Sequence, residues 1–389
     1  MQKIRFATAI LDFSKSKGGA ERYLVDLCTW MADHGFEVHV YAERWEEVRN
    51  EIHLHQVRTI LFPKSLRLLS FATRATKAME QGHYDVTLGV GNTLRADILQ
   101  PHGGVHWAWF WRSLRAYDHP LVWMVKFLGR VLSPKQWIQG YIESAPYKKE
   151  HFRKIIAISD MVKEDINRWY GVSKDQITVI YNGVDIERFH PRNRQYGEEV
   201  RKRYGIGDEF VILFVSNNFK MKGLSYLIGA LAKIKQEGRH SFKLLILGRD
   251  RQAPYLSQAE KAGLSEEILF AGSTSEPEKF YGAADLLVHP TFYDACSLTV
   301  LEAMASGLPV ITTDHNGASG GITDGKEGFV IDDGRNVEDL SGKISYYFDV
   351  EKRKEASLLA RRRAEHFSAA GNCKAIVRIF HDSVRGRKG

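Results

Sequence analysis

The stretch AADLLVHPTFYDACSLTVLEAMASGLPVITTD (Ala283–Asp314) sets two short apolar runs, DLLVHP (285–290) and LPVITT (308–313), on either side of a helical segment. Each run is nearly continuous in apolar residues, the pattern of a parallel strand covered by helices on both faces. The alternation continues upstream through EFVILFVS (209–216), the helical LSYLIGALAKIKQ (224–236), FKLLILG (242–248) and EEILFAG (266–272). Before these, QITVIY (176–181) leads into NGVDIERFHPRN, whose Gly and Pro mark a linker. An earlier series has the same form: KIRFATAI (3–10), FEVHVYAE (36–43), DVTLGVG (85–91) and KIIAIS (154–159). Between its first two strands, Leu24, Leu27, Cys28 and Met31 take the i, i+3, i+4, i+7 spacing of an amphipathic helix that ends at Gly35.

Strand–helix alternation on both sides of one linker predicts an α/β protein of two Rossmann-like, doubly wound parallel-sheet domains facing across a cleft. The expected division is 1–175, 176–365 and a basic helical tail, 366–389, packing across both. The 389 residues, 44% hydrophobic, suffice for two cores. A net charge of +8 admits nucleic acid, an anionic membrane or a phosphorylated substrate. Three cysteines, far apart and without a CxxC pair, suit a reduced, cytoplasmic setting better than a disulfide framework or a metal site. The N-terminal MQKIRFATAILDF is expected to be a first strand rather than a signal peptide. No apolar run reaches the ~18 residues of a membrane span.

Chemistry concentrates where strands hand over to helices. KGGAER (17–22) and NNFKMKGL (217–224) both place glycine at a helix start, where free N–H groups and the helix dipole favour an anion. Lys220 and Lys222 add point charges for phosphate oxygens. Neither motif is GxGxxG or a P-loop, which argues against a dinucleotide or a triphosphate. In DACSLTVLE, Asp294 precedes a helix starting near Ser297, and Glu302 falls on its second turn. The small residues Ala295, Cys296 and Ser297 leave the helix N–H groups approachable. Such a site offers N–H donors to a diphosphate and carboxylates to two sets of hydroxyls, which are the groups of a nucleotide-sugar.

FYDACSLTVLEAMASGLPVI resembles the E-x7-E signature of the retaining GT-B glycosyltransferases of family 4, with Asp294 at the first Glu. The likeness extends over the chain through GGAERYLVDLCTWMADHGFEVHVYA, IIAISDMVKEDI (155–166), VIYNGVD (179–185), VSNNFKMKGL (215–224) and ILGRD (246–250). VHPTFYDA and SNNFKMKG look most like the members that add glucose to the inner-core heptose of bacterial lipopolysaccharide. The resemblance implies donor-binding roles for Gly18, Gly19, Asn217, Lys220, Lys222, Cys296, Ser297, Leu298 and Glu302, the last on the ribose. It implies catalytic roles for His102 and Asp294, and a UDP-sugar, expected to be UDP-glucose, as donor substrate. It implies neither cofactor nor metal, and attack assisted by the departing phosphate rather than by a protein nucleophile. Asn217 stands where the family often has Arg, and Asp294 is one methylene shorter than the usual Glu. A nucleotide-sugar epimerase of the same fold and a basic α/β nucleic-acid-binding protein are the alternatives.

Trp107–Tyr141 carries five of the eight tryptophans, Trp107, Trp109, Trp111, Trp123 and Trp137, among Arg112, Arg115, Lys126, Arg130 and Lys135. This composition, within the insert 105–145, suits an anionic membrane surface, where a lipid-linked glycan acceptor would be offered to a peripheral enzyme on the inner face of the plasma membrane. It equally suits a pair of short helices whose aromatics are core. Nucleic acid is not an expected partner.

Overall fold

The computed structural model describes residues 3–47, 49–238 and 240–385. They divide into two units, Met1–Tyr181 with Asn372–Gly389, and Asn182–Gly371. The chain therefore leaves the first unit after Tyr181, a little beyond the expected 175/176, and returns to it at Asn372.

The first unit runs β1 (Ile4–Phe13), α1 (Gly19–Asp33), β2 (Phe36–Trp45), β3 (Ile52–Gln56), α2 (Lys64–Gln81), β4 (Val86–Gly89), β5 (Ile98–Leu99), α3 (His106–Arg112), α4 (Pro120–Val131), α5 (Pro134–Ser144), β6 (Lys154–Ala157), α6 (Asp160–Tyr170) and β7 (Ile177–Val179). Its sheet is parallel, in the order β3-β2-β1-β4-β5-β6-β7. Strand alternation divides the core between the two sheet faces. Phe6 and Ile10 of β1 join Leu24, Leu27, Cys28 and Met31 of α1 in one cluster. Ala7 and Ala9 join Phe71, Ala75 and Met79 of α2 in the other.

The second unit runs α7 (Arg194–Arg203), β8 (Phe210–Val215), α8 (Leu224–Glu237), β9 (Phe242–Leu247), α9 (Ala253–Lys261), β10 (Ile268–Gly272), α10 (Pro277–Ala283), β11 (Leu286–His289), α11 (Leu298–Ala305), β12 (Val310–Thr313), β13 (Gly328–Ile331), α12 (Val337–Tyr346) and α13 (Val350–Ala364). Its sheet is again parallel, β10-β9-β8-β11-β12-β13. β8 is buried along almost its whole length, as its unbroken apolar sequence requires. The last helix, α14 (Ala369–Arg385), returns to the first unit. There Phe380 stacks on Phe6 at 5.4 Å, and Cys373 and Ile376 close the α1 side of the core. Each such buried side chain contributes about 1.5–3 kcal/mol.

Both sheets reverse their strand order once, between β1 and β4 and between β8 and β11. Ligands of open α/β sheets bind outside the strand carboxyl ends at such a switch point.

The aromatic insert is a helical layer with two characters. Phe110 and Ala108 of α3 are buried, and Arg130 reaches back to the Phe110 carbonyl at 2.8 Å. By contrast α4 has no buried residue, and it exposes Leu121, Val122, Met124, Val125 and Leu128. Glu143 of α5 ties the layer down, accepting the His106 N–H at 2.5 Å and the Tyr170 hydroxyl at 2.7 Å. Burial raises its carboxyl from an ordinary 4.5 to about 7, against the pull of those two bonds. With the folded value above the unfolded one, its contribution is complete below about 4.5 and is lost as pH rises to about 7. Glu143→Gln keeps the acceptor oxygen but cannot ionise. It is expected to raise the melting temperature by a few degrees above neutrality and to leave it unchanged in acid. A pH series of thermal melts checks this, and a gain of equal size at every pH would contradict it.

Candidate functional site

In the second unit the switch-point loops after β8 and β11 meet through a charge pair. Lys222 Nζ lies 2.5 Å from Asp294 Oδ2 and 3.3 Å from the Tyr293 carbonyl. Both side chains are mostly buried, at 18% and 23% exposure. Burial alone would raise the Asp294 carboxyl. The Lys222 ammonium outweighs it and holds the group well below the usual carboxylate range. Asp294 is thus ionised at neutral pH and has no proton to donate. His289 is 1% exposed, its Nε2 3.6 Å from Asp294 Oδ2, and burial lowers its pKa so that the ring is neutral.

Backbone geometry sets this pair. Gly223 takes φ +77 at the start of α8, and a Cβ there would lie 2.3 Å from the Pro290 carbonyl oxygen. Only glycine lets the Lys222 turn close onto the β11 loop. Gly248, at φ +147, is tighter still, its Cβ position 1.6 Å from Ser216 O. The neighbouring Asn217 is exposed and accepts the Arg249 N–H at 3.1 Å, and Lys220 is exposed on the same loop.

The helix after Asp294 starts at Leu298, as its sequence suggests, but is not capped by the Ser297 side chain. Ser297 occupies the N-cap position of α11, but its hydroxyl meets Thr299 Oγ1 at 2.8 Å and makes no capping bond. Asn316, fully buried, orders the turn instead: its Oδ1 accepts the N–H of Ser297 at 3.2 Å and of Ala318 at 3.0 Å. The Cys296 carbonyl accepts from Asn182 Nδ2 at 3.0 Å, and burial pushes the Cys296 thiol up to about 12, so it is no nucleophile. Leu298 is the first helical residue, and Glu302 sits on the second turn. Tyr281 donates its hydroxyl to Glu302 Oε2 at 2.9 Å, which fixes the carboxylate. Lys222, Asp294, Cys296, Ser297, Leu298 and Glu302 are thereby gathered around the loop–helix junction after β11, at one sheet's carboxyl edge.

The first unit holds the remaining candidates. Gly18 is the N-cap of α1 with extended backbone, and both Gly18 and Gly19 are exposed. His102 follows β5, and its ring lies against Tyr23 of α1 in a tilted contact, centroids 4.2 Å apart. The Tyr23 hydroxyl accepts from Gln100 at 3.1 Å and donates to Asn372 of α14 at 2.9 Å. Burial lowers His102 to about 3, so the imidazole is neutral, and its buried Nε2 has no hydrogen-bond partner among the described residues. Neither Tyr23 nor Asn372 was foreseeable from sequence: Tyr23 meets His102 from α1, and Asn372, near the far end of the chain, holds the Tyr23 hydroxyl.

Residues 17–188 match Glycosyltransferase Family 4, and residues 197–363 match Glycosyl transferases group 1. The chain is 34% identical over 319 residues to the uncharacterized glycosyltransferase MJ1607 of Methanocaldococcus jannaschii, covering 77% of each chain. It is 24% identical over 327 residues to the lipopolysaccharide glucosyltransferase WaaG of Escherichia coli K12, covering 83% of this chain and 84% of WaaG. The crystal structure of WaaG superposes with a TM-score of 0.78 at 21% identity, over 96% of this chain and 99% of that one. Anabaena HepE in complex with UDP and glucose superposes with a TM-score of 0.71 at 18% identity, over 97% and 99%. The two parallel-sheet α/β units are those of the GT-B fold, and the chain belongs to the group 1, family 4 glycosyltransferases.

Proposed function

We propose that this glycosyltransferase moves a hexose, expected to be glucose, from a UDP-sugar to a lipid-linked glycan with retention of anomeric configuration and without a metal. The observation that carries the donor assignment is the Lys222–Asp294 pair beside α11, with Glu302 one turn further along the same helix. Glu302 takes the ribose hydroxyls, Asp294 the sugar hydroxyls, and Lys222, Lys220 and the N–H groups at the start of α11 the diphosphate. The complexes of HepE with UDP and glucose support this donor class. Cationic side chains and helix N-termini supply the positive charge that a metal gives elsewhere.

In the proposed step the bond from the anomeric carbon to the phosphate oxygen breaks, and the acceptor hydroxyl oxygen bonds to that carbon on the same face. The hydroxyl proton passes to the departing phosphate. No protein nucleophile is assigned: Asp294 is engaged by Lys222, and the Cys296 thiol is held protonated. Neutral His102 is assigned a hydrogen bond to a substrate hydroxyl through Nε2. Thermal shift against UDP-glucose, UDP-N-acetylglucosamine, GDP-mannose and NAD tests the donor. Stabilisation by UDP-glucose alone is expected, since a ligand at about a hundred times its Kd adds ~2.7 kcal/mol. Stabilisation by NAD alone would overturn the assignment, and NMR of the product anomer tests retention.

We further propose that the acceptor is met at an anionic membrane, on which the enzyme rests through residues 107–141. No helix among the described residues is long and apolar enough to cross a membrane. Leu121, Val125 and Leu128 share one exposed face of α4, with exposed Lys126 on the same helix. Substituting all three with serine is expected to lower binding to anionic vesicles at least about tenfold, judged by co-sedimentation at low salt.

A further inference from the structure

A second apolar surface lies outside the insert. The loop from β3 into α2 exposes Ile60 (45%), Leu61 (75%) and Phe62 (85%), followed on the first turn of α2 by Leu66 (41%). These side chains are displayed by a tied conformation. The Ile60 N–H donates to Ser70 Oγ at 3.0 Å, Arg74 Nη1 donates to the Arg58 carbonyl at 2.7 Å, and Leu66 N–H donates to the Pro63 carbonyl at 3.0 Å. Charge along this segment has one sign. From Arg58 to Lys77 the chain carries Arg58, Lys64, Arg67, Arg74 and Lys77 and no acid. Arg67 is paired with Glu43, while Arg58, Lys64, Arg74 and Lys77 are exposed. α2 also packs on α5, which in turn packs on α4, so the tip grows from the same helical layer as the exposed α4 face.

We propose that the Ile60–Phe62 tip inserts into an anionic lipid surface, as an anchor separate from α4, with Arg58, Lys64, Arg74 and Lys77 meeting the headgroups. Three adjacent exposed apolar side chains in a segment whose exposed charges are all cationic complement an anionic interface, whose acyl boundary takes the rings and branches while its phosphates take the charge. The proposal rests on the membrane reading above for the kind of partner, but on different residues for its evidence. Two anchors also do what one helix face cannot: they fix the tilt of the unit on the bilayer.

The test uses the full chain with phosphatidylcholine vesicles, with and without phosphatidylglycerol. Leu61→Ser/Phe62→Ser, with α4 intact, is expected to lower partition onto the anionic vesicles about tenfold or more, and salt is expected to weaken what remains. Both substitutions are at exposed side chains and should leave the melting temperature unchanged. Separately, a Leu61→Cys variant carries a polarity-sensitive dye selectively, because Cys28, Cys296 and Cys373 are all buried. Its emission is expected to shift to the blue on anionic vesicles only. Wild-type-like partition of the double variant, or a dye that stays in water, overturns the tip while leaving the α4 anchor standing. If wild type itself fails to bind anionic vesicles at low salt, the membrane reading falls and the tip falls with it. A wild-type dimer that Leu61→Ser/Phe62→Ser dissociates, seen by sedimentation equilibrium, reassigns the surface to self-association and also overturns the proposal.

Discussion

Replacing Lys222 with alanine is expected to lower kcat/KM for the sugar donor by about 10²–10³-fold, the usual loss when one preorganised charge donor is removed from a leaving-group site. The expectation follows from where the structure holds the ammonium. It is the cation fixed at the switch point by a contact of 2.5 Å to Asp294, on a turn that only Gly223 permits. Most of the loss should appear in kcat, because the leaving diphosphate gains charge as its bond to the sugar breaks. Lys222→Arg should recover part of it, since the charge survives while the reach and shape change. The partner substitution has a different signature. Asp294→Ala frees Lys222, so UDP should bind as tightly as to wild type or tighter while turnover falls. The pair should also be non-additive: the double variant should lose less than the sum of the singles. Unchanged kcat/KM in Lys222→Ala would remove the residue from the phosphate site altogether.

The same pair sets an acid limit on the second unit. The folded value of Asp294 lies below its ordinary 3.8, so its contribution is complete above that pH and is lost as pH falls below it. Lys222→Ala should therefore melt earlier at neutral pH and lose that part of the acid dependence. A calorimetric pH series on wild type and variant separates this stability effect from the kinetic one.

Strands with long apolar runs were legible because a parallel sheet covered on both faces writes itself as continuous hydrophobicity. β8, β9 and β12 fall within the runs at 209–216, 242–248 and 308–313. What escaped is equally physical. β3 reads IHLHQ, whose histidines on the sheet edge mask the alternation. β13 is four residues opening on Gly328, which packs so close to Val310 that its Cβ would lie 1.9 Å from the carbonyl oxygen. Strands this short are made by register with their neighbours rather than by propensity.

At the site, residues read from local spacing were placed more readily than those supplied by tertiary contact. Asp294, Ser297 and Glu302 stand on one strand–loop–helix unit, so their relation is already in the order of the chain. The Lys222–Asp294 pair joins loops 72 positions apart and depends on the sheet order. Asn316, which orders the start of α11, is an ordinary asparagine in sequence and shows its role only through three buried hydrogen bonds. The insert illustrates the remaining gap. Composition allowed either a packed pair of helices or an exposed apolar face, and the structure contains both, α3 inward and α4 outward.

Glu302→Ala is expected to raise the donor KM about 10–100-fold with kcat nearly unchanged, because a hydrogen bond to a charged group is worth roughly 1.5–3 kcal/mol. In the proposed assignment the ribose hydroxyls sit far from the bond that breaks and are held equally in ground and transition states. Losing them removes uniform binding and leaves the chemical step alone. Tyr281→Phe separates position from charge: it keeps the carboxylate but deletes the bond of 2.9 Å that aims it. A rise in KM of only a few-fold is expected there, at constant kcat. Glu302→Gln should fall between the two, since an amide still offers one acceptor oxygen to a diol but no charge. Direct binding of UDP by calorimetry must follow the same order, as the nucleotide alone carries the ribose. A deoxyribose donor supplies the converse test, because it should bind wild type weakly and lose little more in Glu302→Ala. The opposite kinetic split, kcat falling by orders of magnitude at constant KM, would move Glu302 from the ribose to the reacting sugar, leaving Asp294 without the role assigned to it here.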